Sequence, residues 1–315
     1  MQYGSEFSHG LMFHRLCDKK KDLKVPGTLT KKNFEDIIKF VNPKRILTPL
    51  VWLDRLKKNQ LEKKDLCLTF DDGLLSQKKI ALPVMNKYGL KAFWFVHTQS
   101  FFEKYDNNEI FIQIIFNKFK SFKIFFEELK FFNKIDRKVF NSKNFHKYFK
   151  IQIKYCKYYT LEEIQYRYLR DLYFTRKIFE KLMINFFLKK KINLVKENKK
   201  IWLTKKDVSN LCKNNHIVGM HSFTHPPKMS KLSYKDQAKE YKKNFNSLKL
   251  ICHKEITSMS HPMNSYNSNT FKVLKGMGII CGFKADTEKE PSLKKDNKNL
   301  TIKRIDAREI LNQIY

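Results

Sequence analysis

Short apolar runs alternate with amphipathic stretches near both ends of the chain. Residues 66–70 and 92–96 are almost continuously apolar, which is typical of strands that are buried on both faces of a parallel sheet. Residues 31–41 instead carry their apolar side chains on one face of a helix. This alternation of strand and helix patterns predicts βα units around a mostly parallel sheet.

Seven segments have the pattern of strands, and helical patterns lie between them. The strand segments are residues 10–14, 66–70, 92–96, 217–220, 256–259, 278–283 and 300–305. The helical segments are residues 31–41, 77–88, 205–213, 233–248 and 270–275. Seven strands with intervening helices indicate an α/β fold with a closed or nearly closed barrel.

The alternation stops between residues 103 and 200. This segment is rich in Phe, and its apolar residues recur at helical spacing in one stripe: Ile112, Ile115, Phe116, Phe119, Phe122, Phe126 and Leu129. Thr160 and Glu163 have the spacing of a capping box that begins another helix. Aromatic stripes at helical spacing usually form a core rather than a ligand-binding face. We therefore predict that residues 1–102 and 201–315 form the two parts of one barrel, and that residues 103–200 are a helical insertion.

The charge balance narrows the function classes only slightly. Lys and Arg number 64 against 31 Asp and Glu, a formal net charge of +33, yet 42% of the residues are hydrophobic. A chain of this composition can bury a core, so it is not disordered. The basic excess is spread along the sequence, whereas nucleic-acid-binding proteins concentrate it on one face or segment. Two interpretations stay open: solvated surface lysines, or attraction to an anionic glycan, membrane surface or polymer.

The cysteines and the termini bear on location. The six cysteines are scattered and form no C-x-x-C pair, which indicates buried thiols in a reducing compartment. No apolar run approaches the roughly 18 residues that a membrane-spanning helix needs. The N-terminal residues have neither the basic nor the apolar region of a secretory signal. We therefore expect a cytoplasmic protein.

Two adjacent carboxylates follow the apolar strand segment 66–70. Adjacent side chains point in different directions where a strand ends, so Asp71 and Asp72 can serve different purposes: one can bind a metal ion while the other faces the reacting centre. Catalytic residues of α/β barrels lie at these carboxyl ends of strands. On its own, however, Asp71-Asp72-Gly73 is more often a turn.

Two histidines follow the strand segment 217–220. Their spacing of four brings His221 and His225 to one side of a helical turn, as metal binding requires. Two imidazoles and one carboxylate leave positions open for water and substrate, which is the layout of a catalytic metal site. Together, the two motifs at strand ends of one barrel predict such a site.

Two segments resemble the first two motifs of the polysaccharide deacetylase family, the NodB-homology carbohydrate esterases. They are residues 68–73, Leu-Thr-Phe-Asp-Asp-Gly, and residues 221–226, His-Ser-Phe-Thr-His-Pro. The resemblance covers roughly residues 9–98 and 202–306 and implies a distorted (β/α) barrel of about seven parallel strands. Carried over position by position, it implies that Asp71 is the general base and Thr224 a polar neighbour of the site. It also implies a divalent metal ion, with zinc as the expected metal, bound by these ligands: Asp72, His221 and His225.

The third motif departs from the family pattern. Residues 260–267 have Ser260 where the family often has the Arg that orients the base, and Met263 where it often has Tyr. The backbone N–H of Met263 can still donate to an oxyanion, because that role needs no particular side chain.

The family's last motif usually supplies a His as general acid, but no His follows His261 in this sequence. His14, at the end of the first strand segment, and His261 are the candidate replacements. Residues 300–306 resemble the last barrel strand of the family, which makes Arg304 or Asp306 a candidate support for the site.

The resemblance implies a metal-dependent deacetylase that removes an N-acetyl group from a sugar in surface polysaccharide or lipopolysaccharide biosynthesis, with O-acetyl cleavage left open. The expected partners are an acetylated sugar or glycan precursor and, as an open alternative, an anionic membrane surface. A catalytically degenerate barrel that binds glycans is the competing hypothesis, since it would explain the missing Arg and His. A specific nucleic-acid-binding protein is disfavoured by the diffuse charge and the lack of a recognised module.

Overall fold

The computed structural model describes residues 3–4, 6–19, 25–102, 107–155, 159–285 and 295–315. The chain forms two compact units, residues 1–106 with 201–315 and residues 107–200. The sequence predicted domain boundaries after residues 102 and 200. These boundaries remain a prediction. Cys156 lies outside the described residues.

Seven parallel strands form the centre of the first unit. The described strands are β1 (His9–Phe13), β2 (Leu16–Cys17), β3 (Leu29–Thr30), β4 (Leu66–Phe70), β5 (Ala92–Val96), β6 (Ile217–Met220), β7 (Ser258–Ser260), β8 (Cys281–Phe283) and β9 (Arg304–Asp306). The large sheet has the order β8-β7-β6-β5-β4-β1-β9, and β2 pairs with β3 separately. Each of the seven strand segments predicted from the sequence contributes a strand to the large sheet, although β7, β8 and β9 are shorter than predicted.

The two edges of the large sheet approach each other next to β9. Ile302 forms a parallel bridge with Phe283, and its N–H donates to the carbonyl of Gly282 at 2.9 Å. On the other side, β9 pairs with β1 from Gly10 to Met12. The sheet is therefore a nearly closed, distorted (β/α) barrel, which confirms the predicted fold class.

The described residues contain thirteen α-helices, numbered in chain order. They are α1 (Lys31–Phe40), α2 (Pro49–Lys57), α3 (Leu82–Lys87), α4 (Asn107–Lys118), α5 (Phe122–Phe132), α6 (Lys143–Tyr155), α7 (Leu161–Tyr168), α8 (Arg176–Lys189), α9 (Leu194–Asn198), α10 (Lys205–Lys213), α11 (Tyr234–Cys252), α12 (Ser268–Gly276) and α13 (Ala307–Ile314). Capping boxes begin α1 at Thr30, α7 at Thr160 and α10 at Thr204. The sequence patterns did not predict α2 or α13. The helix predicted over residues 77–88 begins with a π-helical turn, Gln77–Ala81.

Alternate side chains of the barrel strands face two different hydrophobic layers. Leu66, Leu68 and Phe70 of β4 pack in the layer that also holds the buried faces of the surrounding helices. Cys67, between them, packs in the second layer, with Phe93 and Phe283. Because Asp71 continues the second series, its carboxylate extends into the interior of the barrel at the carboxyl end of β4.

Aromatic side chains form the core of the second unit, as the sequence predicted. The buried members include Phe111, Phe125, Phe126, Tyr166, Phe179, Phe186 and Phe187. The single stripe predicted from Ile112 to Leu129 is wrong, because the helix ends before Ser121. The Ser121 side chain accepts a hydrogen bond from the N–H of Ile124 and begins the new helix α5.

None of the helices in the described residues has both the length and the apolar character of a membrane-spanning segment.

Candidate active site

Asp72, His221 and His225 form a cluster with the composition of a metal site. Oδ1 of Asp72 lies 3.4 Å from Nε2 of His221 and 3.5 Å from Nε2 of His225. One possible ligand atom from each residue falls within 4.8 Å of the others. Asp72 follows β4 and His221 follows β6, and β5 lies between these two strands in the sheet. The predicted ligands are thus brought together at the carboxyl edge of the barrel.

The backbone at this cluster adopts conformations that non-glycine residues rarely take. Asp72 has φ 74° and His225 has φ 50°, both in the left-handed region. Gly73 follows with φ 72°, and a Cβ at this position would lie 2.9 Å from the Val96 side chain. Strained residues of this kind persist where the surrounding structure holds them in place, and they concentrate at functional sites.

The hydrogen bonds of His221 leave one ring nitrogen for a ligand. Its Nδ1–H donates to the carbonyl of Ser260 at 2.9 Å, so Nε2 faces Asp72 without a proton when the ring is neutral. Such a partner on the second nitrogen is the usual way in which proteins orient a metal-binding His. One carboxylate oxygen and two imidazole nitrogens suit zinc and similar divalent ions. The residues present therefore fit a catalytic divalent metal ion.

Helix α11 holds the loop that carries the two histidines. The Glu240 carboxylate accepts hydrogen bonds from the N–H of Phe223 at 3.1 Å, and from the N–H and the hydroxyl of Thr224 at 2.8 and 2.9 Å. Four residues further along α11, the buried Asn244 accepts from the N–H of His221 at 3.0 Å. Its amide also donates to the carbonyl of Val96 at 3.0 Å. These contacts tie the His loop to the end of β5.

Asp71 is held apart from the cluster by Arg304. The guanidinium donates to both carboxylate oxygens, with Nη1 to Oδ1 at 2.6 Å and Nη2 to Oδ2 at 2.7 Å. Nη2 also donates to Oγ of Ser260 at 2.7 Å, and that hydroxyl donates to Oδ2 of Asp71 at 3.1 Å. All three side chains are buried. Asp71 is therefore oriented by an arginine from β9 and a serine from β7.

The pKa of Asp71 reflects two opposing effects. Burial raises it, but the charge and hydrogen bonds of Arg304 together with the nearby His221 and His14 outweigh burial and lower the pKa to about 2. The pKa of Asp72 is also held well below its usual value, because its hydrogen bond to His221 and the nearby imidazoles outweigh burial. Both carboxylates are consequently ionised at neutral pH.

Gln77 connects the ends of two barrel strands. Its side-chain amide donates to the carbonyl of His14 at 3.0 Å and to that of Asp71 at 2.6 Å. Its Oε1 accepts from the N–H of Leu74 at 3.1 Å. Gln77 is buried in the π-helical turn, a local structure that is frequent at functional sites.

Comparison with protein families identifies one match, to the family described as polysaccharide deacetylase. The matched residues are 58–115 and 180–281, just over half of the chain. The match includes Asp71, Asp72 and both histidines of the cluster. This chain belongs to the polysaccharide deacetylase family. The family consists of hydrolases that act on carbon–nitrogen bonds other than peptide bonds. A comparison with curated protein sequences gives no significant match.

Solved structures of deacetylases have the same fold as this family member. The deacetylase PplD of Streptococcus pyogenes, in complex with acetate, aligns with a TM-score of 0.55 and 14% identity, over 99% of this chain and 100% of that one. IcaB of Ammonifex degensii gives 0.54 and 12%, over 99% and 96%. A de-N-acetylase of Aggregatibacter actinomycetemcomitans gives 0.54 and 11%, over 98% and 99%. At these identities the likeness is evidence for the fold alone.

The two histidines considered as replacements for the deacetylase general acid lie in different surroundings. Nε2 of His14 is 3.9 Å from Oδ2 of Asp71, and 35% of its side chain is exposed. His261 is buried, and its Nε2–H donates to the carbonyl of Leu300 at 2.7 Å. Its ring packs against Tyr266, and burial lowers its pKa to about 4.

Other residues that the family motifs singled out are divided between the site and its surroundings. Met263 lies in the turn after β7 with φ 51° and a largely exposed side chain. The hydroxyl of Thr224 is occupied by Glu240. Of the two candidate supports, Arg304 contacts Asp71, whereas the Asp306 side chain accepts from the N–H of Arg308 at the start of α13.

The sequence patterns did not single out four polar residues at the site: Gln77, Glu240, Asn244 and His97. Asn244 could have been noticed, because it is a polar residue on the apolar face of α11 next to Tyr241. His97 follows β5 and is buried, and neither of its ring nitrogens has a hydrogen-bond partner among the described residues. Its ring lies 5.7 Å from that of His225. Burial lowers its pKa to about 3, so it is neutral beside the candidate metal ligands.

We predict that Arg304→Met leaves the Asp71 carboxylate buried without its charged partner and lowers the free energy of unfolding by about 3–5 kcal/mol at pH 7. Asp71 has a folded pKa of about 2, below its usual 3.8, so the stabilisation by the pair is present above pH 4 and is lost as the pH falls toward 2. The difference between wild type and variant should therefore shrink in acid. Urea unfolding at several pH values measures it.

The matched control is Arg308→Met, which removes an exposed arginine paired with Asp306 and should change the free energy of unfolding by less than about 1 kcal/mol. The double variant Asp71→Asn/Arg304→Met should recover part of the loss. Equal stabilities for the two single arginine variants would contradict the assigned pairing.

Proposed function

We propose that this deacetylase removes the N-acetyl group of a sugar in a surface polysaccharide or lipopolysaccharide precursor. Its proposed cofactor is a divalent metal ion, with zinc as the expected metal. The observation that carries the proposal is the separation of the adjacent carboxylates. Asp72 faces His221 and His225, while Asp71 is fixed by Arg304. One carboxylate is thereby available as a metal ligand and the other as a base.

The proposed metal ligands are Asp72, His221 and His225. A zinc ion bound there would polarise the acetyl carbonyl and lower the pKa of a water toward about 7. The protein supplies the orientation of the ligands through the Ser260 carbonyl, Glu240 and the buried Asn244.

Asp71 is the proposed general base. Its Oδ2 lies 4.0 Å from Nε2 of His221, so it is close enough to accept a proton from a water held between substrate and ligands. With a pKa of about 2 it is a weak base. A weak base would suffice here, because a divalent ion held by the neighbouring ligands would make a water more acidic. The bond to Arg304 keeps the carboxylate ionised and fixed in direction.

His14 is the proposed general acid that protonates the leaving amine. It lies beside Asp71, and 35% of its side chain is exposed and accessible to a substrate. His261 is less suited, because its Nε2–H is committed to the Leu300 carbonyl and its ring is buried. The N–H of Met263 is the proposed donor to the oxyanion, a role that a backbone group can fill.

The competing hypothesis of a degenerate, glycan-binding barrel loses much of its support. It rested on the absence of an arginine at position 260 and of a late histidine. Arg304 now contacts both oxygens of Asp71, and His14 lies next to the same carboxylate. Cleavage of an O-acetyl ester stays the second candidate reaction, since an alcohol needs less help from an acid than an amine does.

We predict that Asp71→Asn lowers the rate of acetate release at least about 100-fold, because general-base catalysis typically contributes 10²–10⁴-fold. Its metal content should stay at the wild-type level, whereas His221→Ala should lose tightly bound metal. His14→Gln should reduce the rate on N-acetyl sugars more than on O-acetyl sugars. Metal analysis and acetate release on a panel of acetylated sugars provide the measurements.

His261→Gln is the matched control for His14→Gln, and its rate should stay within a few-fold of wild type. Two outcomes would contradict the proposal: full metal content in His221→Ala, or glycan binding without any acetate release by the wild type. The second outcome would restore the degenerate barrel.

We also propose that the protein acts in the cytoplasm, on a glycan precursor near the anionic membrane surface. The scattered cysteines and the basic charge support this, and each lysine near such a surface contributes about 1 kcal/mol at most. A sensitive indicator is the pair Cys212 and Cys252, two buried free thiols that lie close enough to affect each other's pKa. We expect both to be reduced in protein isolated under thiol-trapping conditions. A disulfide between them, in protein recovered outside the cytoplasm, would refute this location.

A further inference from the structure

Helix α6 in the second unit has an unusual charge pattern. It carries four lysines, including Lys143, Lys147 and Lys150, and no acidic residue. Every other helix of at least eight residues described in this unit, namely α4, α5, α7 and α8, contains at least one Glu. The positive charge of α6 is therefore not balanced within the helix.

The lysines of α6 line a cleft. Spacings of four and three place Lys143, Lys147 and Lys150 on one face of the helix, and the rise of 1.5 Å per residue spreads them over about 10 Å. With Asn141 and His146 they line a cleft of about 530 Å³. A cleft of this volume is in the range that binds small ligands or a segment of a polymer.

Some lysines of the same unit have an acidic partner, whereas the cleft lysines belong to those that have none in the part of the chain that the structure describes. Lys118 pairs with Glu197, Lys130 with Glu127 and Lys190 with Glu128. Among the described residues, no ion pair is found for any of the three cleft lysines. Like charges three and four residues apart on a helix repel each other. An anion in the cleft would relieve that repulsion.

We propose that this cleft binds an acidic stretch of a glycan, a carbohydrate chain with carboxylate or phosphate groups. This inference rests on the proposed function and specifies its substrate class, since the bound chain would belong to an anionic polysaccharide or its precursor. The three ammonium groups can contact anionic groups on neighbouring sugars, and the Asn141 amide can bind hydroxyls as donor and acceptor.

The composition of the cleft and of α6 favours a glycan over two other polyanions. The cleft is open and its five lining residues are exposed, but the apolar face of α6 is turned inward, with Phe145 buried, so a bilayer would find little apolar surface on this helix. The lining contains no Phe, Tyr or Trp on which a nucleic-acid base could stack. Ile151 and Ile153 of α6 are nearly half exposed, which makes lipid vesicles a necessary arm of the test.

The test measures binding of a short polygalacturonate oligosaccharide to the full chain at two salt concentrations by calorimetry. The cleft variant is Lys143→Gln/Lys147→Gln/Lys150→Gln. The matched control, Lys177→Gln/Lys181→Gln/Lys189→Gln, removes the same charge from exposed lysines of α8. We expect the cleft variant to bind about tenfold more weakly, as the loss of three exposed ion pairs predicts. The control should stay within about twofold of wild type, and the methyl-esterified oligosaccharide should not bind.

If both triple variants weaken oligosaccharide binding equally, the attraction is diffuse and the proposal is overturned. It is also overturned if the cleft variant binds the oligosaccharide as tightly as the wild type does. Two further probes are vesicles containing phosphatidylglycerol and single-stranded DNA. The proposal would also be overturned if either probe binds through the cleft lysines and the oligosaccharide does not bind. Circular dichroism checks folding, and the single variant Lys147→Gln replaces a triple variant that fails to fold. Acetate release from a small uncharged substrate should be unchanged in the cleft variant. If even the wild type releases no acetate, the proposed function fails while the binding result stands.

Discussion

The buried pair of Asp71 and Arg304 determines what the two adjacent carboxylates at the end of β4 can do. Arg304 contacts both oxygens of Asp71 and so fixes its direction and its charge. Asp72 has no arginine or lysine partner among the described residues and faces His221 and His225. Without the arginine, two carboxylates in a buried site would compete for the same cation, and one would tend to become protonated. In the proposed mechanism, the pair therefore separates the base, Asp71, from the metal ligand, Asp72.

Position 260 shows how the barrel accommodates the change from the family pattern. The family motif often has an arginine there, whereas this chain has Ser260. Its hydroxyl accepts from Arg304 and donates to Asp71, and its carbonyl accepts from His221. A small residue on β7 leaves room for the guanidinium that enters from β9. The same support for the base is thus reached from a different strand of the barrel.

The local features of the fold could be predicted from the sequence, because they depend on neighbouring residues. The apolar run of β4, the capping box at Thr160 and the spacing of His221 and His225 are all of this kind. The pairing of Asp71 with Arg304 joins residues 233 positions apart, and the sequence could only offer Arg304 and Asp306 as alternatives. Glu240 was missed for the same reason: its role depends on how α11 packs beside the His loop, which no local pattern encodes.

The break at Ser121 illustrates the opposite limit. The apolar residues on both sides continue at helical spacing, so the pattern favoured one long stripe. A single serine that caps the next helix outweighs that periodicity. Here a local signal was present in the sequence, and the stronger hydrophobic pattern concealed it.

The most direct test of this account is a crystal structure of the protein grown with zinc, with anomalous diffraction measured at the zinc edge. The account predicts one ion bound by an oxygen of Asp72 and by Nε2 of His221 and His225, at about 2.0–2.2 Å. Asp71 should stay off the ion and keep both hydrogen bonds to Arg304. An ion bound by Asp71, or an Arg304 displaced from it, would contradict the division of roles on which the proposed mechanism depends.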